Sequence, residues 1–262
     1  MRVFEEVTVA QTVLNDPGSA YREILRVLNA AERTKRPVYI EIPRDCGSLA
    51  IDTTPVSLPH PNTADPASLA EALDEAAAML NAADRPIILA GVEVHRFGVQ
   101  DRLLELIKRS GIPFVTTIMG KSVVAESTPG FVGVYAGSLS DAEVRDAVEG
   151  SDCVLNLGAM LTDLNTGIFT AVLEPSRIIA ATAEILTIRR HQYPGIDLVR
   201  FLDALCAVPL KRRMALPESR HATIAQFDSL PEGPITVSRL FECLDAELTE
   251  NVAVIADPGD AL

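Results

Sequence analysis

Residues 85–182 contain four short apolar runs, PIILA at 86–90, PFVTT at 113–117, VLNLG at 154–158 and RIIAA at 177–181. Runs this short and this apolar are typical of strands that are buried on both faces, as in a parallel sheet. The segments between them carry the helical patterns that right-handed crossovers need. The pattern therefore predicts an α/β domain with a doubly wound, mostly parallel sheet and helices on both faces. Such sheets bind ligands beyond the carboxyl ends of their strands.

The composition narrows the class of protein. The chain has 262 residues, of which 48% are hydrophobic, so it has room for one large domain or two ordinary ones. Its formal charge of −13 argues against nucleic acid and anionic membrane surfaces as partners. No apolar run approaches the roughly 20 residues of a membrane helix, and the first residues lack a secretory apolar region. We expect a cytoplasmic protein.

The four cysteines, Cys46, Cys153, Cys206 and Cys243, are far apart in the sequence and form no CxxC or CxxH pair. This spacing favours reduced thiols over disulfides or metal ligands.

The chain divides into five predicted segments. They are an end fragment of a domain at 1–45, a linker at 46–66, the central α/β domain at 67–206, a second linker at 207–233, and the start of another domain at 234–262. The first fragment holds one predicted helix, which begins at Asp16-Pro17, and one strand at 37–43. The last holds an amphipathic helix and a strand at 252–256. Neither fragment can bury both faces of a sheet alone.

Several local predictions follow inside the central domain. Residues 127–139 have the glycine content of a long loop, and Ser140 with Glu143 matches the spacing of a capping box. The segment through 193–195 also has the composition of a loop. The basic cluster at 211–213 is typical of a solvated surface.

Candidate chemistry is sparse. No glycine-rich dinucleotide fingerprint or phosphate-binding loop follows any predicted strand. A nucleotide cleft lined by the loops at 91–98 and 158–167 remains open on grounds of fold alone. His95-Arg96, Lys121 and Asp163 all follow strand ends, and Lys121 could pair with Asp163 or contact an anion or another subunit. The residues present form no complete active site.

Several short stretches of the sequence, taken in order, resemble a known family. They are RPVYIEIPRD at 36–45, MGK at 119–121, GVYAG at 133–137, LSD at 139–141, VEGSD at 148–152, LGAMLTD at 157–163 and NTG at 165–167. In this order and spacing the chain resembles the thiamine-diphosphate-dependent 2-oxo-acid decarboxylases, the pyruvate and indolepyruvate decarboxylase group. The resemblance implies that the central domain is the Rossmann-like middle domain of such an enzyme. It also implies that 1–45 ends the pyrimidine-binding domain and that 234–262 begins the diphosphate-binding domain.

The resemblance implies that the full-length parent uses thiamine diphosphate and Mg²⁺ as cofactors. It does not require this chain to bind either of them. Gly259 and Asp260 are the only cofactor contacts that it carries over. The glutamate that activates the cofactor and the GDG…N motif of the family are absent from this sequence. The parent would be a homo-oligomer, a dimer or tetramer, that acts on a small 2-oxo acid.

The resulting hypothesis is the central region of a non-oxidative 2-oxo-acid decarboxylase of pyruvate or indolepyruvate type, inactive by itself. Two alternatives remain: a free-standing module that binds a nucleotide or FAD, and a purely structural domain that makes subunit contacts.

Overall fold

The computed structural model describes residues 2–57, 65–213, 216, 219, 227, 234–249 and 251–255. The helices are α1 Arg2–Glu5, α2 Pro17–Thr34, α3 Pro66–Ala82, α4 Val92–Arg96, α5 Gln100–Ser110, α6 Ala142–Glu149, α7 Leu198–Ala207 and α8 Val237–Glu247. The strands are β1 Gln11–Val13, β2 Tyr39–Glu41, β3 Pro86–Ala90, β4 Phe114–Thr117, β5 Phe131–Tyr135, β6 Cys153–Leu157, β7 Ile178–Ala181, β8 Ile185–Ile188 and β9 His191–Pro194.

A seven-stranded sheet forms the centre of the molecule. Its strand order is β5-β4-β3-β6-β7-β8-β9. The first five of these strands run parallel, whereas β8 and β9 pair in antiparallel fashion at one edge. The chain starts in the middle at β3, moves outward to β5, and then returns to β6 on the other side of β3. This confirms the predicted doubly wound, mostly parallel architecture, with its switch point between β3 and β6.

Alternate residues of the strands face two apolar layers. On one face Ile88 and Ala90 belong to a large cluster that includes buried side chains of α3, α5 and α7. On the other face Ile87 and Leu89 belong to a smaller cluster with Val144 and Val148 of α6. Every residue of β3 and of β6 is buried, which explains why these strands are continuous apolar runs in the sequence. Helices thus lie on both faces of the sheet.

The predicted helix start at Asp16-Pro17 is confirmed, and α3 begins in the same way at Asp65-Pro66. The carboxylate of Asp16 accepts a hydrogen bond from the backbone N–H of Gly18, and that of Asp65 accepts one from Ser68. Each satisfies a backbone donor that has no partner within its helix. Gly111 ends α5 in the left-handed conformation that glycine adopts most easily.

Four local predictions are wrong. The predicted loop at 127–139 contains β5, and the predicted loop through 193–195 overlaps β9. Ser140 is not a helix cap, because its hydroxyl accepts a hydrogen bond from the N–H of Ala136 while α6 begins after Asp141. Residues 252–255 form no strand, and residue 256 of that prediction lies outside the described residues.

The first fragment contains a small sheet of its own. Strands β1 and β2 pair in parallel, and α2 connects them. The ring of Phe4 stacks on Tyr39 with 3.8 Å between centroids. Strand β1 was not predicted, and its three residues are too few to show a period.

The basic segment at 211–213 crosses the amino-terminal edge of the large sheet, and its last residue is bound there. The guanidinium of Arg213 donates hydrogen bonds from Nη2 to the carbonyl oxygens of Leu80 and Ala83, at 2.6 and 2.9 Å. Its backbone N–H donates to the carbonyl of Ser110. Arg213 therefore caps the carboxyl end of α3. The sequence predicted only a solvated surface charge at this position.

Arg213→Gln is expected to lower the free energy of unfolding by about 1–3 kcal/mol, because carbonyls at the end of α3 lose their donor. The neighbouring Arg212→Gln serves as the matched control. Arg212 is exposed, and it forms no hydrogen bond with the residues that the structure describes. Urea denaturation followed by circular dichroism measures both. Equal stability of the Arg213 variant and the wild-type protein would contradict the capping role.

Candidate functional site

The carboxyl-terminal edge of the sheet is the place where ligands bind in this architecture, and one segment crosses it. Residues 158–172 leave β6 and pass in turn over the ends of β3, β4 and β5. The side chain of Asn165 accepts a hydrogen bond from the N–H of Met119, which follows β4, at 3.1 Å. The hydroxyl of Thr170 accepts one from Ser138, which follows β5, at 2.9 Å. We call residues 158–172 the edge cover.

Asn165 is only 1% exposed and is the main attachment of the edge cover. Its Oδ1 binds the N–H of Met119, and its Nδ2 donates to the carbonyl of Met160 at 2.8 Å. A buried amide with both ends satisfied holds a loop in one position. Nearby, the hydroxyl of Thr166 donates to the carbonyl of Thr162, which gives the cover a helix-like turn.

The first part of the cover makes a very close backbone contact at the switch point. A Cβ atom on Gly91 would lie 2.1 Å from the Cα of Ala159 and 2.2 Å from the carbonyl oxygen of Gly158. The N–H of Glu93 donates to that same carbonyl oxygen at 3.1 Å. The loops after β3 and β6 are therefore packed together, and only glycine fits at position 91.

Glu93 is the titratable group at this contact, and its side chain is 1% exposed. Its Oε2 accepts a hydrogen bond from the N–H of Ala183 at 2.9 Å. Its Oε1 faces Nη2 of Arg36 at 3.6 Å, and Nη1 of Arg36 lies 3.2 Å from a carboxylate oxygen of Glu184. Arg36 follows α2 and so belongs to the first fragment. An ion pair between the half-buried Arg36 and the buried Glu93 thus joins residues 1–45 to the switch point of the central sheet.

Burial is the largest influence on Glu93 and raises the pKa of its carboxyl group above the ordinary value. The Ala183 N–H and the charge of Arg36 act in the opposite direction, but they do not outweigh the loss of hydration. Among the residues that the structure describes, neither Oε1 of Glu93 nor Nε of Arg36 has a hydrogen-bond partner. The pair is therefore incompletely satisfied and costly to keep.

These contacts bear on the nucleotide cleft that the sequence left open. Both of its predicted walls are present, and they are in direct backbone contact where Gly91 meets Ala159. The acidic side chain beside them, Glu93, is 1% exposed and faces Arg36. Binding of a nucleotide or FAD between these loops stays a prediction.

The outer surface of the edge, together with the turns beside it, is apolar. Seven large apolar side chains there are each more than a third exposed: Met119, Leu139, Leu161, Leu164, Ile168, Phe169 and Val172. We call this set the apolar rim. Two of them, Ile168 and Phe169, also have left-handed backbone conformations, with φ of 57° and 60°. Exposed apolar side chains on a strained backbone are a mark of a functional or contact surface.

The residues singled out from the sequence do not come together. Lys121 pairs with Glu126 at 2.8 Å, so the predicted pair with Asp163 is not formed. The carboxylate of Asp163 accepts a hydrogen bond from the adjacent Leu164 N–H. Nδ1 of His95 and the side-chain amide nitrogen of Gln100 form a hydrogen bond on the surface near the start of α5. Gly259 and Asp260 lie outside the described residues, so their predicted role as cofactor contacts stays a prediction.

Within the described ranges, no group of three or more His, Cys, Asp or Glu side chains could hold a metal ion. No described helix is long and apolar enough to cross a membrane. Arg36 and Glu93 are the residues that the sequence reasoning missed as a pair. The available signals were a glutamate three residues after a buried strand and an arginine at the end of a basic run.

Glu93→Gln keeps the size of the side chain and its bond to Ala183 but removes the charge. Because the folded-state pKa of Glu93 is raised, ionisation favours the unfolded chain, and this cost grows as the pH rises above the ordinary value of 4.5. Relative to Glu93→Gln, the wild-type protein should therefore lose stability with rising pH. Urea denaturation of both proteins from pH 4 to pH 8 measures the difference. Glu184→Gln, at the exposed partner of Arg36, is the control, and a difference independent of pH would contradict the prediction.

Ile168→Gly is expected to raise the free energy of unfolding by about 1 kcal/mol, because a β-branched side chain strains a left-handed backbone. Val172→Gly is the matched control: Val172 is also β-branched and 70% exposed but has no positive φ. There the greater freedom of glycine in the unfolded chain should lower the stability by roughly 0.5–1 kcal/mol. Thermal and urea denaturation of both variants test the opposite signs, and the same sign for both would exclude stored strain at Ile168.

The sequence profile described as "Thiamine pyrophosphate enzyme, central domain" matches residues 73–207. The indole-3-pyruvate decarboxylase of Azospirillum brasilense is 36% identical over 100% of this chain and 48% of its own length. The pyruvate decarboxylase of Candida albicans is 30% identical over 98% of this chain and 47% of its own length. The alpha-keto-acid decarboxylase of Mycobacterium avium is 32% identical over 98% of this chain and 46% of its own length.

The chain spans about half the length of these curated relatives. The profile covers the whole seven-stranded sheet with α5, α6 and α7, and the relatives extend the similarity into both flanking segments. The chain belongs to the thiamine pyrophosphate enzyme family and contains its central domain at residues 73–207.

Proposed function

We propose that this chain is the central part of a thiamine-diphosphate-dependent, non-oxidative decarboxylase of 2-oxo acids. The observation that carries the proposal is the extent of the similarity. It covers 100% of the chain at 36% identity to an indole-3-pyruvate decarboxylase, and so includes residues outside the central domain. The other two relatives are also named as decarboxylases of such acids. The reaction of the whole enzyme would release CO₂ from the acid and leave an aldehyde.

The described residues do not fit thiamine diphosphate or Mg²⁺. They supply no cluster of metal-binding side chains, and the edge cover lies across the strand ends. We therefore assign cofactor activation and diphosphate binding to the roughly half of the relatives' length that this chain does not span. We also propose that the whole enzyme uses Mg²⁺ and acts on a small 2-oxo acid. Gly259 and Asp260 are proposed to contact the cofactor. The chain itself is expected to be inactive.

The role proposed for the described residues is to hold catalytic domains in place. The ion pair of Arg36 with Glu93 fixes the first fragment against the switch point. The apolar rim offers a contact surface at the carboxyl edge, on the same side as that pair. We infer that the rim packs against another domain of a homo-oligomeric enzyme, a dimer or tetramer. A cytoplasmic location agrees with this proposal and stays a prediction.

A hybrid enzyme tests the proposed function. Residues 1–262 replace the aligned half of the Azospirillum brasilense indole-3-pyruvate decarboxylase, and aldehyde formation from indole-3-pyruvate and pyruvate is measured with thiamine diphosphate and Mg²⁺. The hybrid should form aldehyde from at least one acid, because the two proteins are 36% identical over this region. The isolated chain should form none and should give no heat on titration with thiamine diphosphate.

The unmodified Azospirillum enzyme is the positive control for the assay. A hybrid that folds, assembles and binds the cofactor but releases no aldehyde from any 2-oxo acid would overturn the proposed function. Aldehyde formation by the isolated chain would instead show that it holds a complete active site.

A further inference from the structure

The amino-terminal edge of the sheet, opposite the edge cover, contains an open cavity of about 490 Å³. It lies between the end of α5, the turn before β5 and the segment that follows α7. Its volume is within the range of roughly 300–1,000 Å³ that is usual for small-molecule sites. The family resemblance assigns nothing to this place.

The walls of the cavity are mostly apolar. Leu104 and Ile107 of α5, Pro129 before β5 and Leu216 after α7 supply hydrocarbon surface, and Ile107 is only 2% exposed. An apolar lining of this kind favours a ligand with a hydrocarbon or aromatic body over a sugar or a free phosphate.

The charged groups of the cavity are all cationic. Lys108, Arg212 and Arg213 line it, and no acidic residue among those that the structure describes does, although the chain as a whole has a formal charge of −13. Arg213 is engaged with the end of α3, as described above. Lys108 and Arg212 are both exposed, and neither forms an ion pair with a carboxylate in the part of the chain that the structure describes. Within that part, two cations that are free to meet an anion therefore border an apolar surface.

The cationic wall is held in place by specific hydrogen bonds. The N–H of Lys211 donates to Oδ1 of Asn81 at 2.7 Å, and the N–H of Arg213 donates to the carbonyl of Ser110 at 2.9 Å. Arg212 is thus fixed on both sides in the sequence. On the other wall, Lys108 stands in the last turn of α5, which Gly111 ends. The arrangement is preorganised, so binding would cost little ordering of the backbone.

We propose that this cavity binds an organic carboxylate with an apolar body, with Lys108 and Arg212 contacting the carboxylate and Leu104 and Ile107 contacting the body. The charge selects an anion, and the lining selects its apolar part. Because the site lies entirely within the chain, the proposal does not depend on decarboxylase activity.

The probe is 3-phenylpropionate, titrated into the purified chain by isothermal calorimetry and by ligand-observed NMR. Its uncharged amide and plain acetate are the comparison ligands. We expect the amide and acetate each to bind at least about tenfold more weakly, since each lacks one half of the recognition, and tenfold is about 1.4 kcal/mol. Equal binding of acid and amide would overturn the proposal, and so would absence of binding up to the solubility limit of the acid.

Variants locate the site. Lys108→Gln and Arg212→Gln should each weaken binding of 3-phenylpropionate about tenfold, and Leu104→Trp should abolish it by filling the cavity while both cations remain. Arg109→Gln is the matched control, because Arg109 lies on the same turn of α5 but faces Glu105 and does not line the cavity. Circular dichroism melting confirms that each variant is folded. If Arg109→Gln weakens binding as much as Lys108→Gln does, the acid is attracted only by the positive charge of this surface, and the proposed site is wrong.

Discussion

The rest of the structure depends on the close approach of two backbones at the switch point of the sheet. Gly91 and Ala159 follow adjacent parallel strands, and there is no room between them for a side chain at position 91. This contact directs the chain after β6 across the strand ends instead of away from them. The edge cover, its attachment through Asn165 and the exposed apolar rim all follow from that direction. In many doubly wound proteins the same place is a ligand crevice. Here the edge cover crosses that place.

The buried carboxylate of Glu93 shows what the packed switch point requires of neighbouring groups. An acidic side chain that is 1% exposed is expensive unless a cation and several donors surround it. Glu93 has one backbone donor and one arginine at 3.6 Å, which leaves its pKa raised. Hydrophobic packing would serve stability better at such a point. The benefit is one of position, because the arginine comes from the first fragment and the charge pair specifies where that fragment lies.

Strands buried on both faces were predictable, because burial on both faces forces an unbroken apolar run, as in β3 and β6. Strand β5 was missed because only alternate residues of it are buried and because Gly133 interrupts it. The hairpin of β8 and β9 was missed for another reason: its turn at Arg189-Arg190 has a positive φ at an arginine, whereas turn signals rely on glycine or asparagine. Burial of β5 depends on what packs against it, and that is a property of the whole fold.

The site was less predictable than the fold for a similar reason. Arg36 and Glu93 are 57 positions apart and meet only because the first fragment lies against the loop after β3. Lys121 and Asp163 both follow strand ends, yet each finds a nearer partner, Glu126 and the Leu164 N–H. Position at a strand end therefore brings residues to one edge of the sheet without deciding which of them touch.

The two edges of the sheet differ in a way that bears on how this domain could respond to small molecules. At the carboxyl edge the edge cover crosses the strand ends and presents apolar side chains to solvent, which suits contact with another domain. At the amino edge the segment after α7 stands away from α5 and leaves a space bordered by Lys108 and Arg212. Both α5 and this segment pack on the side of the sheet that carries the larger apolar cluster. A ligand at the amino edge would therefore contact the segment that follows the central domain. Arg36 and the apolar rim lie at the opposite edge. The sheet separates the two, and its continuously buried strands are the rigid connection between them.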